Sequence, residues 1–73
     1  MARHRTRPYL GRDIPGLLRH KGVLLKTMAA EIGMHPSNLS PIVNGKAYVG
    51  GIVAHRIANY FGLPVERVFT EYR

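Results

Sequence analysis

The side chains able to do chemistry in this chain form hydrogen bonds rather than break covalent ones. His35, Ser37, Asn38 and Ser40 fall within Thr27 to Lys46, TMAAEIGMHPSNLSPIVNGK. An Asn amide can bond two-pronged to the N6 and N7 edge of adenine, and a Ser hydroxyl can donate or accept at a base edge. Asn44 and Lys46 close the same stretch, where a cation and free backbone N–H groups suit a phosphate. Arg3, Arg5 and Arg7 alternate through MARHRTRP, an arm that could enter a narrow, A·T-rich minor groove. Catalytic groups are missing. The acids Asp13, Glu31, Glu66 and Glu71 are scattered, and there is no Cys, no P-loop and no Gly-rich dinucleotide turn. His4, His20, His35 and His55 share no ligand spacing. The expectation is therefore not an enzyme, with no metal and no cofactor.

Charge and size point the same way. The 73 residues carry a net charge of +7, from 11 Lys and Arg against 4 Asp and Glu. That balance favours a polyanionic partner. The positive groups cluster early: Arg3, Arg5, Arg7, Arg12, Arg19, Lys21 and Lys26 face only Asp13 among residues 1–26. Such a length holds one small domain, and with 0 Cys it must be stabilised by compact packing. No apolar run approaches the roughly 20 residues that span a membrane, and no signal peptide is visible. A cytoplasmic location is expected.

These side chains need elements to position them, and the pattern is helical. Asp13, as an N-cap with Pro15 in the first turn, opens a helix from Ile14 to His20 or Lys21, with Ile14, Leu17 and Leu18 inward. Gly16 weakens it and Gly22 ends it. A second helix runs from about Leu24 to Ile32, with a Leu24, Met28, Ile32 stripe widened by Leu25 and Ala29. Gly33 suits the left-handed position that ends it. A third runs from Pro36 to about Val43, with Leu39 and Ile42 inward and Ser37, Asn38, Ser40 and Pro41 outward. Pro41 should tighten or end it near that point, because its ring clashes with the carbonyl of Ser37. Lys46 to Gly51 reads as a loop. A fourth helix, Ile52 to Phe61, turns Val53, Ala54, Ile57, Ala58 and Phe61 inward, and a short fifth follows from Val65 to about Thr70. No strand pattern stands out, so the class expected is all-α.

Taken in order, MAAEIGM, Leu39-x-x-Ile42-x-Asn44-Gly45-Lys46, Ile57-Ala58-x-x-Phe61-Gly62 and Gly62-Leu63-Pro64-Val65-Glu66-Arg67-Val68-Phe69 resemble the DNA-binding domains of the phage lambda and 434 repressors and Cro. The resemblance covers roughly residues 14–70. It implies a compact five-helix repressor-like domain whose second and third helices form a helix-turn-helix, the third lying in the major groove. The reading face departs from the family. Leu25 stands where many members place a phosphate-binding polar residue, Pro36 and Pro41 stand at two of the usual base-reading positions, and Val43 replaces the usual Glu before Asn-Gly.

The expected organisation is a flexible basic arm over residues 1–12 and a helix-turn-helix domain over residues 13–73. Base contacts are expected from His35, Pro36, Ser37, Asn38, Ser40 and Pro41, the prolines through thymine methyl groups. Phosphate contacts are expected from Lys26, Thr27, Asn44 and Lys46, and minor-groove contacts from Arg3, Arg5 and Arg7. The expected partner is double-stranded DNA, bound by a monomer or a weak homodimer formed on it. The expected role is that of a phage or bacterial transcriptional regulator, associated with the nucleoid of its host. An antitoxin-like interaction module and an excision or DNA-bending factor are the alternatives.

Overall fold

The computed structural model describes residues 9–71. Among them the chain forms β1 (Tyr9–Gly11), α1 (Ile14–Lys21), α2 (Leu25–Ile32), α3 (Pro36–Val43), β2 (Tyr48–Val49), α4 (Gly51–Phe61), α5 (Val65–Val68) and β3 (Phe69–Glu71). The helical boundaries follow the spacing of apolar residues. Ile14 and Leu18 of α1, Met28, Ala29 and Ile32 of α2, Leu39, Ile42 and Val43 of α3, and Ala54, Ile57 and Ala58 of α4 share one core. Full burial of side chains such as Met28, Leu39 and Ile57 contributes roughly 1.5–3 kcal/mol each. Leu24 is an exception to its stripe. It sits in extended backbone ahead of α2 and is 63% exposed, so Leu25 packs in its place.

The turns are set by backbone chemistry. At Gly33 φ is +78°, and its N–H reaches the carbonyls of Ala29 and Ala30 while Met34 N–H bonds to Ala29 at 2.8 Å. This left-handed closure reverses the chain between α2 and α3. Asp13 behaves differently from its expected role. It adopts a left-handed conformation (φ 46°) and makes no side-chain capping bond. Its carboxylate instead occupies the space beside Gly16, where a Cβ would stand 2.6 Å from its oxygens. α3 has the expected bounds, Pro36 to Val43, and passes through Pro41 without ending there. Beyond Val43 the chain leaves through bonds from Asn44 N–H to the Ser40 carbonyl (3.0 Å) and from Lys46 N–H to the Pro41 carbonyl (2.8 Å). Proline removes a single N–H, and the burial of Ile42 and Val43 favours the extra turn over an early exit.

The all-α expectation fails in one respect. The two ends of the described chain and the segment after α3 form a three-stranded antiparallel sheet in the order β2-β1-β3. Tyr9 opposes Val49 on one side and Glu71 on the other, and Gly11 opposes Phe69. Three sequence expectations change with it. Residues 9–11, assigned to the arm, form the central strand, and Arg12 N–H bonds to the Val68 carbonyl at 2.8 Å. The loop from Lys46 to Gly51 contains an edge strand. The last helix stops at Val68, because Phe69 turns extended (φ −131°, ψ 150°) to enter the sheet. Phe69 and Val49 are both buried, so the sheet closes the core beneath the helices.

Candidate nucleic-acid interface

The outward face of α3 carries the polar residues singled out by sequence. Leu39, Ile42 and Val43 anchor the helix inward. His35, Pro36, Ser37 and Asn38 are exposed at its start, while Ser40 and Pro41 are half-buried. α3 packs against α2 across Gly33 and against β1. The contact with β1 is close: a Cβ on Gly11 would stand 2.7 Å from the Ile42 carbonyl oxygen and 2.8 Å from Ile14 Cδ1. Glycine thus lets the strand pass directly beside the backbone of α3.

The start of α3 is built by its own side chains. Ser37 is the second residue of the helix, so its N–H has no acceptor within the helix. It donates to His35 Nδ1 at 3.1 Å, and Ser37 Oγ lies 2.7 Å from the same nitrogen. At the other end Asn44 Nδ2 makes a long contact to Ser40 Oγ (3.5 Å), which occupies part of both groups' hydrogen-bonding capacity. Asn38 has an open groove beside it, bounded by Met34, Ile42, Tyr48 and Ile52.

Lys26 and Thr27 are exposed in the first turn of α2, and Asn44 and Lys46 are exposed just beyond α3. All four candidate phosphate contacts are thus accessible, on the two helices of the Gly33 unit or their exits. Arg3, Arg5 and Arg7 lie outside the described residues. Between Ile32 and Val65 the chain has no Asp or Glu, while Lys46 and Arg56 are positive. An anionic ligand against α3 or the start of α4 would therefore meet no carboxylate from that segment.

Compared with protein-family models, curated proteins and solved structures, the chain matches none of them.

Sequence reasoning missed Arg56. Its guanidinium donates to the Ile32 carbonyl at 3.3 Å, tying α4 to the end of α2 just before the Gly33 turn. The available signal was that Arg56 is the one Lys, Arg, Asp or Glu on that helix. His55 bonds through Nδ1 to the Gly51 carbonyl (2.7 Å), and the Tyr9 ring meets it edge-on at 6.3 Å. No spacing rule joins residues 9 and 55, so that contact had no sequence signal. Among the described residues no cluster of three metal-ligating side chains occurs, and no helix is long and apolar enough to cross a membrane.

Proposed function

We propose that this chain is a sequence-specific, double-stranded DNA-binding regulator of transcription that lays α3 in the major groove. One observation carries the reading. α3 is held by α2 across the left-handed Gly33 turn, with its apolar side buried and His35, Pro36, Ser37 and Asn38 exposed together. A helix-turn-helix needs this geometry, since a recognition helix must be rigidly docked and still present short polar side chains outward. In this reading Asn38, Ser37 and Ser40 read base edges, with His35 beside them and Pro36 and Pro41 meeting thymine methyl groups. Lys26, Thr27, Asn44 and Lys46 hold phosphates and set register. Arg3, Arg5 and Arg7 add minor-groove contacts. The resemblance to lambda and 434 repressors and Cro supports a phage or bacterial setting, with the protein on the host's DNA in the cytoplasm.

The test is in vitro selection from random duplex DNA, followed by affinity measurement on the selected site and on random duplex. A selected palindrome indicates a dimer on DNA, and a single asymmetric site a monomer. Asn38→Ala should lose about 1–3 kcal/mol on the selected site and little on random DNA. Failure of the wild-type chain to enrich any sequence would sink the proposal. Equal losses for Asn38→Ala on both DNAs would remove its base-reading role alone.

A further inference from the structure

We propose that His35 and Ser37 present fixed and opposite hydrogen-bonding polarities at the start of α3, a donor from His35 Nε2 and an acceptor from Ser37 Oγ, so that Ser37 selects amino over keto bases. The proposal rests on the DNA-binding reading above and names the chemistry that α3 recognises.

The argument starts from one nitrogen. The backbone N–H of Ser37 points at His35 Nδ1 from 3.1 Å. An N–H can donate there only to a lone pair, so Nδ1 carries no proton, and the ring proton resides on Nε2. Ser37 Oγ is 2.7 Å from the same Nδ1. Facing an unprotonated nitrogen, the hydroxyl must be the donor in that contact. A serine hydroxyl has a single hydrogen. Once it is committed to His35, the oxygen has only lone pairs to offer outward. Both side chains are exposed, and among the described residues no acceptor meets Nε2–H and no donor meets the remaining Oγ lone pairs.

A free serine can serve donor or acceptor at a base edge and discriminates poorly. Held as an acceptor, Ser37 Oγ can take a hydrogen from adenine N6 or cytosine N4, and it meets guanine O6 and thymine O4 as lone pair against lone pair. Nε2–H has the complementary need, for a purine N7, a keto oxygen or a phosphate oxygen. Because Nδ1 and Nε2 open on different sides of the imidazole, the two outward groups diverge and cannot share one base. The cap that satisfies the first turn of α3 therefore also writes part of its specificity.

Two measurements test this, one of them free of DNA. Nitrogen-15 NMR of the full chain should show His35 with Nδ1 unprotonated and Nε2 protonated; a protonated Nδ1 in the neutral ring would overturn the proposal. In selection experiments the wild-type site should hold one position enriched in adenine or cytosine over guanine or thymine, by between about two- and tenfold, the range of one neutral hydrogen bond. Ser37→Ala should erase that preference. His35→Ala, which frees the hydroxyl to rotate, should erase it too. His35→Asn, whose amide oxygen can accept from both Ser37 groups, should restore it. Melting curves identify any variant that fails to fold, and Ser37→Ala and His35→Asn keep the test open should His35→Ala be one. A selected site whose base preferences are unchanged by Ser37→Ala would overturn the proposal while leaving DNA binding intact. Absence of any selected site with wild-type protein would overturn the DNA reading itself.

Discussion

Replacing Gly11 by alanine probes the joint between the N-terminal strand and the candidate recognition helix. The added Cβ would stand 2.7 Å from the Ile42 carbonyl oxygen and 2.8 Å from Ile14 Cδ1. Ordinary contact begins near 3.4 Å, so the shortfall at the oxygen is about 0.7 Å. Neither neighbour yields cheaply. The Ile42 oxygen belongs to the backbone of α3, and Ile14 is fully buried in the core. β1 must then move away from α3, disturbing its pairing with both β2 and β3. Overpacking of this kind costs typically 1–3 kcal/mol. The reduced freedom of the unfolded alanine chain offsets about 0.4–1 kcal/mol of that. The midpoints of the two ranges leave a net loss of about 1.3 kcal/mol, which lowers the melting temperature of a domain this size by roughly 5–10 °C. Gly51→Ala is the matched control. Its Cβ would lie 3.8 Å from the Tyr9 ring, an ordinary contact, at the first position of α4. That substitution should be neutral or stabilise by up to about 1 kcal/mol. Thermal and urea unfolding followed by far-UV circular dichroism measure both. A Gly11→Ala chain as stable as Gly51→Ala would refute the close approach of β1 to α3.

Gly33→Val isolates backbone strain, because among the described residues nothing beyond its chain neighbours lies within 4 Å of the new Cβ but φ is +78°. A loss of at least about 1–2 kcal/mol is expected in urea unfolding, and an unchanged midpoint would contradict the left-handed turn. Lys46→Ala should weaken binding to specific and random DNA alike and flatten the plot of log affinity against log salt by about one unit of slope. A loss confined to the specific site would make Lys46 a base reader. Tyr60 ionises above the ordinary phenol value, first through desolvation and then through the negative charge of Glu31. The folded chain holds that proton more tightly than the unfolded one, so the linked stability is whole below the ordinary tyrosine value and is lost as pH rises through the raised one. Ultraviolet absorbance titration should show a late phenol that Glu31→Gln brings back toward the ordinary value.

What could be read from sequence was local. The i, i+3 and i, i+4 spacings of Leu39 with Ile42 and of Ala54 with Ile57 and Ala58 gave the inward faces, and Gly22, Gly33 and Gly62 marked the ends of helices where only glycine adopts a left-handed turn without cost. These features act within one or two turns of chain, so residue types and intervals are enough. The outward placement of His35, Ser37 and Asn38 follows as the complement of that apolar face. Rules of type alone were weaker. Asp13 is a good capping residue in general, yet its side chain serves no cap, because the backbone there is left-handed. Leu24 fits a helical stripe, but α2 starts one residue later and leaves it outside.

The sheet was decided by tertiary structure alone. Its strands are three, two and three residues long, too short to display an alternating pattern. Their partners, Tyr9 with Val49 and Glu71, are far apart in the chain and meet only after the helices have packed. The same holds for the bond from Arg56 to Ile32 and for the passage of Gly11 beside Ile42. Even the candidate site divides this way. Sequence determined that His35 and Ser37 stand at the start of an exposed helix. Only the folded geometry aims the Ser37 N–H at His35 Nδ1, and because an N–H can only donate, that contact gives the polarity of the pair.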